Sequence, residues 1–247
     1  MNILSNKTMA LMLAFGFLLS ACGSSPTEEI TNSNTPITTQ SESGWQEEFD
    51  LASCSLSTTG RSEYFILEPG FQLVLEGGNE VLAITVLDET IEIDGTITRV
   101  VEEREWRNGE LIEVSRNFFA ICEETKDVFY YGEDVDMYSG GELASHSGAW
   151  RAGEENTRVG LIMPGEPVAG MKYYQEIAPG IAMDRAEVLS LDEVFKTPAG
   201  EFPNSLKTQE GTALNLLEKE FKTYAPGIGL IQDQKLLLTK YGFIDSE

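Results

Sequence analysis

Histidine is almost absent from this chain of 247 residues, and cysteine and basic side chains are scarce. One His and three Cys are present, and 17 Lys plus Arg stand against 41 Asp plus Glu. With His146 alone, a Ser-His-Asp or Cys-His system has a single possible base, and Ser145 and Ser147 face away from it in a strand. The sequence around it, Ala-Ser-His-Ser-Gly, holds no Gly-x-Ser-x-Gly elbow, so His146 reads as an exposed residue beyond the Ser139-Gly140-Gly141 turn. The formal charge of −24 excludes nucleic acid as a partner, because binding there depends on clustered Lys and Arg that displace phosphate counterions. Apolar runs are short as well. The N-terminal one, residues 9–19, falls well below the roughly 20 residues that cross a bilayer as a helix. The apolar fraction of 41% nevertheless suffices for an ordinary packed core.

Residues 1–21, MNILSNKTMALMLAFGFLLSA, place the basic Lys7 ahead of that apolar run, the layout of a secretory signal. Leu19-Ser20-Ala21-Cys22 resembles the lipobox of bacterial lipoproteins. The resemblance implies a diacylglyceryl group on the Cys22 thiol, cleavage by signal peptidase II just before it, and acylation of the new amino group. Each buried CH₂ contributes about 0.8 kcal/mol, so two or three acyl chains form a lasting anchor in the membrane. Gly23 rather than Asp follows the Cys, which implies outer-membrane sorting, periplasmic or surface-facing, if the host is Gram-negative. Loss of residues 1–21 removes Lys7 and no acid, so the mature chain of 247 − 21 = 226 residues carries 16 − 41 = −25.

Residues 23–44, GSSPTEEITNSNTPITTQSESG, hold hardly any bulky apolar side chain and cannot offset the entropy of ordering themselves. With Cys22 they read as a tether that, as a coil, puts the body about 25 Å from the bilayer. The expected organisation is therefore a signal peptide at 1–21, an acylated Cys and disordered tether at 22–44, and a β domain at 45–247.

From Trp45 onward, short β-branched and aromatic runs alternate with Gly, Pro, Asn and Asp. Asn108-Gly109 sits between TITRVVEEREWR and ELIEVSRNFFAIC, the strongest short-range hairpin signal, since a type I′ turn needs φ > 0 at both central residues. Pairing Arg107 with Glu110 sets Trp106 opposite Leu111, Arg104 opposite Glu113 and Glu103 opposite Val114. Such pairs contribute roughly 0.2–1 kcal/mol each. Further hairpins are expected at Asp94-Gly95, across residues 123–126, and at Ser139-Gly140-Gly141. Segments 173–191 and 220–238 align at an offset of 47 residues, superposing Ala178-Pro179-Gly180-Ile181 on Ala225-Pro226-Gly227-Ile228. Each reads as strand, Pro-Gly bend, strand. The competing reading is a short helix over 212–222, where Leu214, Leu217 and Phe221 fall at helical spacing. The fold expected is mainly β: an antiparallel β-roll or open half-barrel of consecutive hairpins.

Four stretches together resemble an uncharacterised group of bacterial exported proteins. They are Tyr131-Gly132-Glu133-Asp134-Val135; Ser147-Gly148-Ala149-Trp150-Arg151-Ala152-Gly153; Met163-Pro164-Gly165-Glu166-Pro167 with Tyr173-Tyr174-Gln175-Glu176; and Thr197-Pro198-Ala199-Gly200-Glu201-Phe202 with Tyr224-Ala225-Pro226-Gly227-Ile228-Gly229-Leu230. The resemblance spans roughly residues 118–243 and implies a β-roll or open barrel, with no activity to carry over.

Cys54 and Cys122 are the cysteines left once Cys22 is acylated. An even pair in an exported protein is a disulfide candidate, with two separately buried thiols as the alternative. A structural zinc site would need four Cys/His ligands, and only three such residues remain. Glu133, Asp134 and Asp136, with Glu142 beyond the turn, form a candidate Ca²⁺ cluster of hard oxygen ligands, set against a plain solvated acidic loop because the EF-hand spacing is not met. Phe118, Phe119, Phe129, Tyr130 and Tyr131 read as core, or as the lining of an apolar cavity in an open roll. The function expected is a lipid-anchored envelope module, structural or binding an apolar ligand or another envelope protein, with no catalytic residue assigned. The alternative is a hydrolase that uses paired carboxylates on an envelope or extracellular polymer.

Overall fold

The computed structural model describes residues 44–244; Cys22, the signal segment and residues 22–43 of the expected tether lie outside the described residues. The strands of the first half are β1 (Leu56–Ser57), β2 (Gly60–Ser62), β3 (Phe65–Leu67), β4 (Phe71–Gly77), β5 (Glu80–Ile93), β6 (Thr96–Arg107), β7 (Glu110–Cys122), β8 (Val128–Ser139) and β9 (Glu142–Ser145). Those of the second half are β10 (Trp150–Arg151), β11 (Gly160–Met163), β12 (Lys172–Tyr174), β13 (Asp184–Thr197), β14 (Gly200–Thr212), β15 (Asn215–Ala225), β16 (Gly229–Asp233) and β17 (Leu236–Phe243).

All but β2 and β3 join one antiparallel sheet. Two meanders, β4 to β8 and β12 to β17, are consecutive hairpins, and they meet where the last strand, β17, pairs with β4. β9, β10 and β11 pair with β8, and β1 pairs with the end of β7. The sheet is an open one. Among the described residues, a single isolated bridge, Arg158↔Ile177, reaches from the β11 side toward the β12 side, and no ladder closes a barrel.

Two-residue turns fall where the sequence places them. Asp94-Gly95 and Asn108-Gly109 all have positive φ, and their flanking pairs are Ile93↔Thr96 and Arg107↔Glu110. Beyond Trp106↔Leu111, however, the register departs from expectation: Glu105 lies opposite Glu113, Arg104 opposite Val114 and Glu103 opposite Ser115. A bulge inserts one extra residue on β7, and a one-residue slip turns later side chains to the other face. Arg104 therefore bonds Glu102 on its own strand at 2.6 Å instead of Glu113.

Both Ala-Pro-Gly-Ile copies form turns between strands, β12 to β13 and β15 to β16. The competing helix over 212–222 is not formed; the segment is the end of β14, a turn and most of β15, as the strand reading has it. Leu and Glu favour helix locally, but β15 ladders with both β14 and β16 and buries Thr223, Tyr224 and Ala225, and tertiary pairing overrides propensity. Helix among the described residues is confined to one 3-10 turn, Leu51–Ser53.

The two faces of the sheet differ in chemistry. Register puts Val101, Asn117 and Glu133 in one row, and Glu105 and Glu113 in another, on what we term the inner face. The β2 and β3 hairpin lies across its apolar part. Phe65 packs edge-on against Phe119 with centroids 5.3 Å apart, Tyr64 Oη donates to the Asn204 carbonyl at 3.1 Å, and Gly227 N–H donates to the Glu63 carbonyl at 2.7 Å. Tyr64, Ile66 and Leu67 thereby join Leu73, Leu75, Leu82, Ile231 and Leu238 in the buried core. The five aromatics expected in the core, Phe118, Phe119, Phe129, Tyr130 and Tyr131, are all buried.

Candidate functional site: an acid-lined end of the inner face

The site begins at an irregularity in β8. Asn117 faces Glu133 while Phe119 faces Tyr130, so β8 carries one extra residue there. Gly132 occupies this bulge at φ +130, and a Cβ on it would stand 2.2 Å from the Trp150 carbonyl oxygen, so no other residue fits. The bulge turns Tyr130 and Glu133 to the same face. Trp150 pairs directly opposite Glu133 and shares that face.

A second element brings more acids. The backbone N–H groups of Gln175 and Glu176 both donate to the Asp184 carbonyl, at 2.8 and 3.1 Å, which holds Glu176 beside the start of β13. Gly160 of β11 lets the chains meet, since a Cβ there would stand 2.0 Å from the Gln175 carbonyl oxygen. Because β11 also pairs with β8, Glu176 is carried toward Glu133. From the far side, Thr208↔Lys222 and Ala186↔Glu210 place Lys222 and Glu210 on the same surface as Asp184.

These groups divide into a satisfied set and a strained one. Glu210 accepts from Thr208 Oγ1 and Tyr224 Oη, both at 2.9 Å, and meets Lys222 Nζ at 3.2 Å. Burial alone would lower the Lys222 ammonium, but Glu210, Asp233, Tyr224 and Glu103 outweigh it and hold the pKa well above the usual lysine range. Glu133 has no such compensation. Burial pushes its carboxyl up to about 8, Glu113 and Glu103 add to the rise, and the Tyr130 hydroxyl only partly opposes it. Glu176 is pushed well above the carboxylate range, first by burial and then by Glu133 and Asp184. Asp184 is open to solvent at the rim yet hemmed in by protein, and the lost solvation outweighs a hydrogen bond from Thr212, so it too is raised.

The arrangement thus runs from exposed Asp184 through half-buried Glu133 to buried Glu176. Behind it, the buried Trp150 indole N–H is directed at Glu176 and opposes the rise in its pKa, but the contact falls short of full hydrogen-bond geometry. An indole N–H is a donor only, and leaving one buried and unmatched costs about 1–3 kcal/mol. Chemically, the site offers several carboxyls whose uncharged form is favoured by burial and by one another, a buried indole donor, and aromatic walls in Tyr130 and Trp150, whose centroids lie 5.4 Å apart.

The residues singled out in the sequence fall elsewhere, with one exception. Glu133 belongs to this site. Asp134 points to the opposite face, where it pairs with Arg151 at 2.7 Å, and Asp136 pairs with His146 Nδ1 at 2.8 Å. Glu142 is exposed on β9. The four acids considered for Ca²⁺ are therefore not brought together, because neighbours on a strand alternate faces. Cys54 and Cys122 are joined in a disulfide with Cα atoms 5.2 Å apart, tying the segment before β1 to the end of β7. Among the described residues, one Cys/His/Asp/Glu group has ligand atoms close enough to share a metal. It comprises Cys54, Cys122 and Glu124, and its two sulfurs are committed to the disulfide.

Sequence reasoning passed over Glu176, Asp184, Glu210, Lys222 and Trp150. The available signal was the placing of Glu176 among Tyr173, Tyr174 and Ile177, an acid inside an apolar run that ends up 8% exposed. No family model, no curated protein and no solved structure matches the chain.

Proposed function

We propose that this chain is a lipid-anchored protein of the bacterial envelope, held at the outer membrane through Cys22, whose β domain binds a cationic group at the acid-lined end of its inner face. The lipobox-like Leu19-Ser20-Ala21-Cys22 supports the anchor. One observation carries the binding reading: Glu133, Glu176 and Asp184 crowd together beside an unmatched indole N–H. Such a cluster opposes folding unless something completes it, and strongly perturbed groups gather at functional sites. An ammonium or guanidinium group supplies the missing countercharge. Glu176, once ionised, then becomes a stronger acceptor for the Trp150 N–H. An apolar ligand is less well served, because side chains of the β2 and β3 hairpin already fill the apolar part of the inner face.

Calorimetric titration of the purified chain with methylguanidinium and with spermidine near neutral pH tests this. Binding is expected to release protons from the carboxyls, so the measured heat should differ between buffers of different ionisation enthalpy. Glu133→Gln combined with Glu176→Gln should remove both the binding and the buffer dependence. Absence of binding by either cation at millimolar concentration counts against the reading.

A second reading uses the same carboxyl differently. Glu133, pushed up to about 8, is protonated at neutral pH, the state a general acid in polymer hydrolysis requires. Release of reducing ends from envelope polysaccharide, lost in Glu133→Gln, favours the hydrolase; no release by the wild type removes it.

A further inference from the structure

A separate cleft of about 50 Å³ opens between Trp45 and the β14 and β15 hairpin, with Arg185, Gln209, Leu216, Glu218 and Lys219 on its walls. Trp45 is fixed there by its neighbour. Gln46 N–H donates to the Lys172 carbonyl and Tyr174 N–H donates to the Gln46 carbonyl, both at 2.9 Å. The Arg185 guanidinium lies 4.4 Å from the Trp45 ring centroid and 5.9 Å from that of Tyr174. In a chain so rich in acids, neither Arg185 nor Lys219 has a carboxylate partner among the described residues. Glu210 also borders the cleft, but it is engaged by Lys222, Thr208 and Tyr224. The hairpin tip beside the cleft exposes Leu214, Leu216 and Leu217 by 53%, 66% and 92%. Three leucines bared within four residues gain nothing from water and mark a contact surface.

We infer that this cleft and hairpin tip are the membrane-facing surface of the domain, with the leucines and Trp45 in the interface of the bilayer and a phospholipid headgroup between Arg185, Lys219 and Glu218. The inference rests on the lipid-anchored reading. Residues 23–44 separate the acyl-bearing Cys22 from Trp45, so the tether ends on the wall of the cleft itself. Chain of that length, if it behaves as a coil, has an r.m.s. span of about 25 Å, so a weak second contact to the headgroups acts at high effective concentration. The chemistry matches a zwitterionic headgroup. Its phosphate suits the forked donors of Arg185 and the ammonium of Lys219, and an ethanolamine ammonium suits Glu218. Indole rings favour the bilayer interface, and leucines bury in its apolar edge.

The acylated full chain, reconstituted into phosphatidylethanolamine and phosphatidylcholine vesicles whose acyl chains are brominated near the headgroup, provides the test. Part of the tryptophan emission is expected to be quenched, and Trp45→Phe should remove that quenchable part. Leu216→Ser with Leu217→Ser, and separately Arg185→Gln with Lys219→Gln, should each reduce the quenching several-fold while the chain still floats with the vesicles. A floating chain with no quenching overturns the inference and leaves the anchor intact. A chain that does not float at all overturns the anchor, and the inference with it. Self-association in sedimentation velocity that Leu217→Ser abolishes assigns the leucines to a second copy and likewise overturns it.

Discussion

Raising the pH from about 5 to about 9 is expected to destabilise this domain, against the usual behaviour of surface carboxylates. Glu133 holds its proton up to about 8 in the folded chain, against an ordinary value of 4.5. Between these values the folded chain keeps a proton that the unfolded chain has released, so stability is highest below the lower value and is lost as pH climbs through the upper one. At about 1.4 kcal/mol per pH unit, the whole shift amounts to at most about 5 kcal/mol, and a half-buried carboxyl delivers only part of that. Glu176 and Asp184 are shifted in the same direction and add to the slope. The oppositely shifted carboxyls, Glu68, Glu80 and Glu124, are all lowered and act below the ordinary carboxyl range, outside this window. For a domain of this size, 1 kcal/mol moves the melting temperature by about 2–4 °C, which caps the Glu133 effect at about 10–20 °C. Circular dichroism melts across the window read it directly. Glu133→Gln should shallow the fall, and Glu133→Gln with Glu176→Gln should leave only the smaller part owed to Asp184. A melting temperature that holds steady or rises with pH in the wild type, or a fall unchanged in the double variant, refutes the reasoning.

Three further outcomes follow from particular contacts. Replacing Cys54 and Cys122 by Ser opens a link across 68 residues and should cost about 4 kcal/mol on the chain-entropy model; denaturant melts measure it, and an unchanged midpoint contradicts it. Lys222→Met strands the buried Glu210 carboxylate and should cost about 3 kcal/mol, the low end for breaking a buried pair, with Lys222→Met plus Glu210→Gln recovering much of the loss. Gly132→Ala meets both the Trp150 carbonyl and a φ of +130, and a loss of about 2–4 kcal/mol is expected from overpacking and backbone strain together; wild-type stability in this variant would mean that the bulge can relax.

Turn chemistry carried most of the fold. Asp94-Gly95 and Asn108-Gly109 announced their hairpins because few other residue pairs accept two successive positive φ values. Two bulges hid the site. The extra residue on β7 after Leu111 turns Glu113 away from Arg104 and onto the inner face, and the one at Gly132 sets Tyr130 and Glu133 side by side although they are three apart. Strict alternation would keep Glu113 opposite Arg104 and put Tyr130 and Glu133 on opposite faces, and no local pattern marks where a ladder slips. The Asp134 and Asp136 pairing was legible as a shared face but not as carboxyls already engaged by Arg151 and by the His146 ring. Leu214 and Leu217 are exposed because they sit at the tip of the β14 and β15 hairpin, and the spacing that also fits an amphipathic helix serves no such face there.

The cationic-group site is tested most directly by carboxyl-carbon NMR titration of Glu133 and Glu176, each assigned by its Gln variant, in the free chain and with spermidine. In the free chain both carboxyls are expected to titrate well above the ordinary range, Glu133 near 8, and both should fall when the cation is added as Glu176 ionises against the Trp150 N–H. Ordinary carboxyl values that spermidine leaves unmoved would contradict the proposed site.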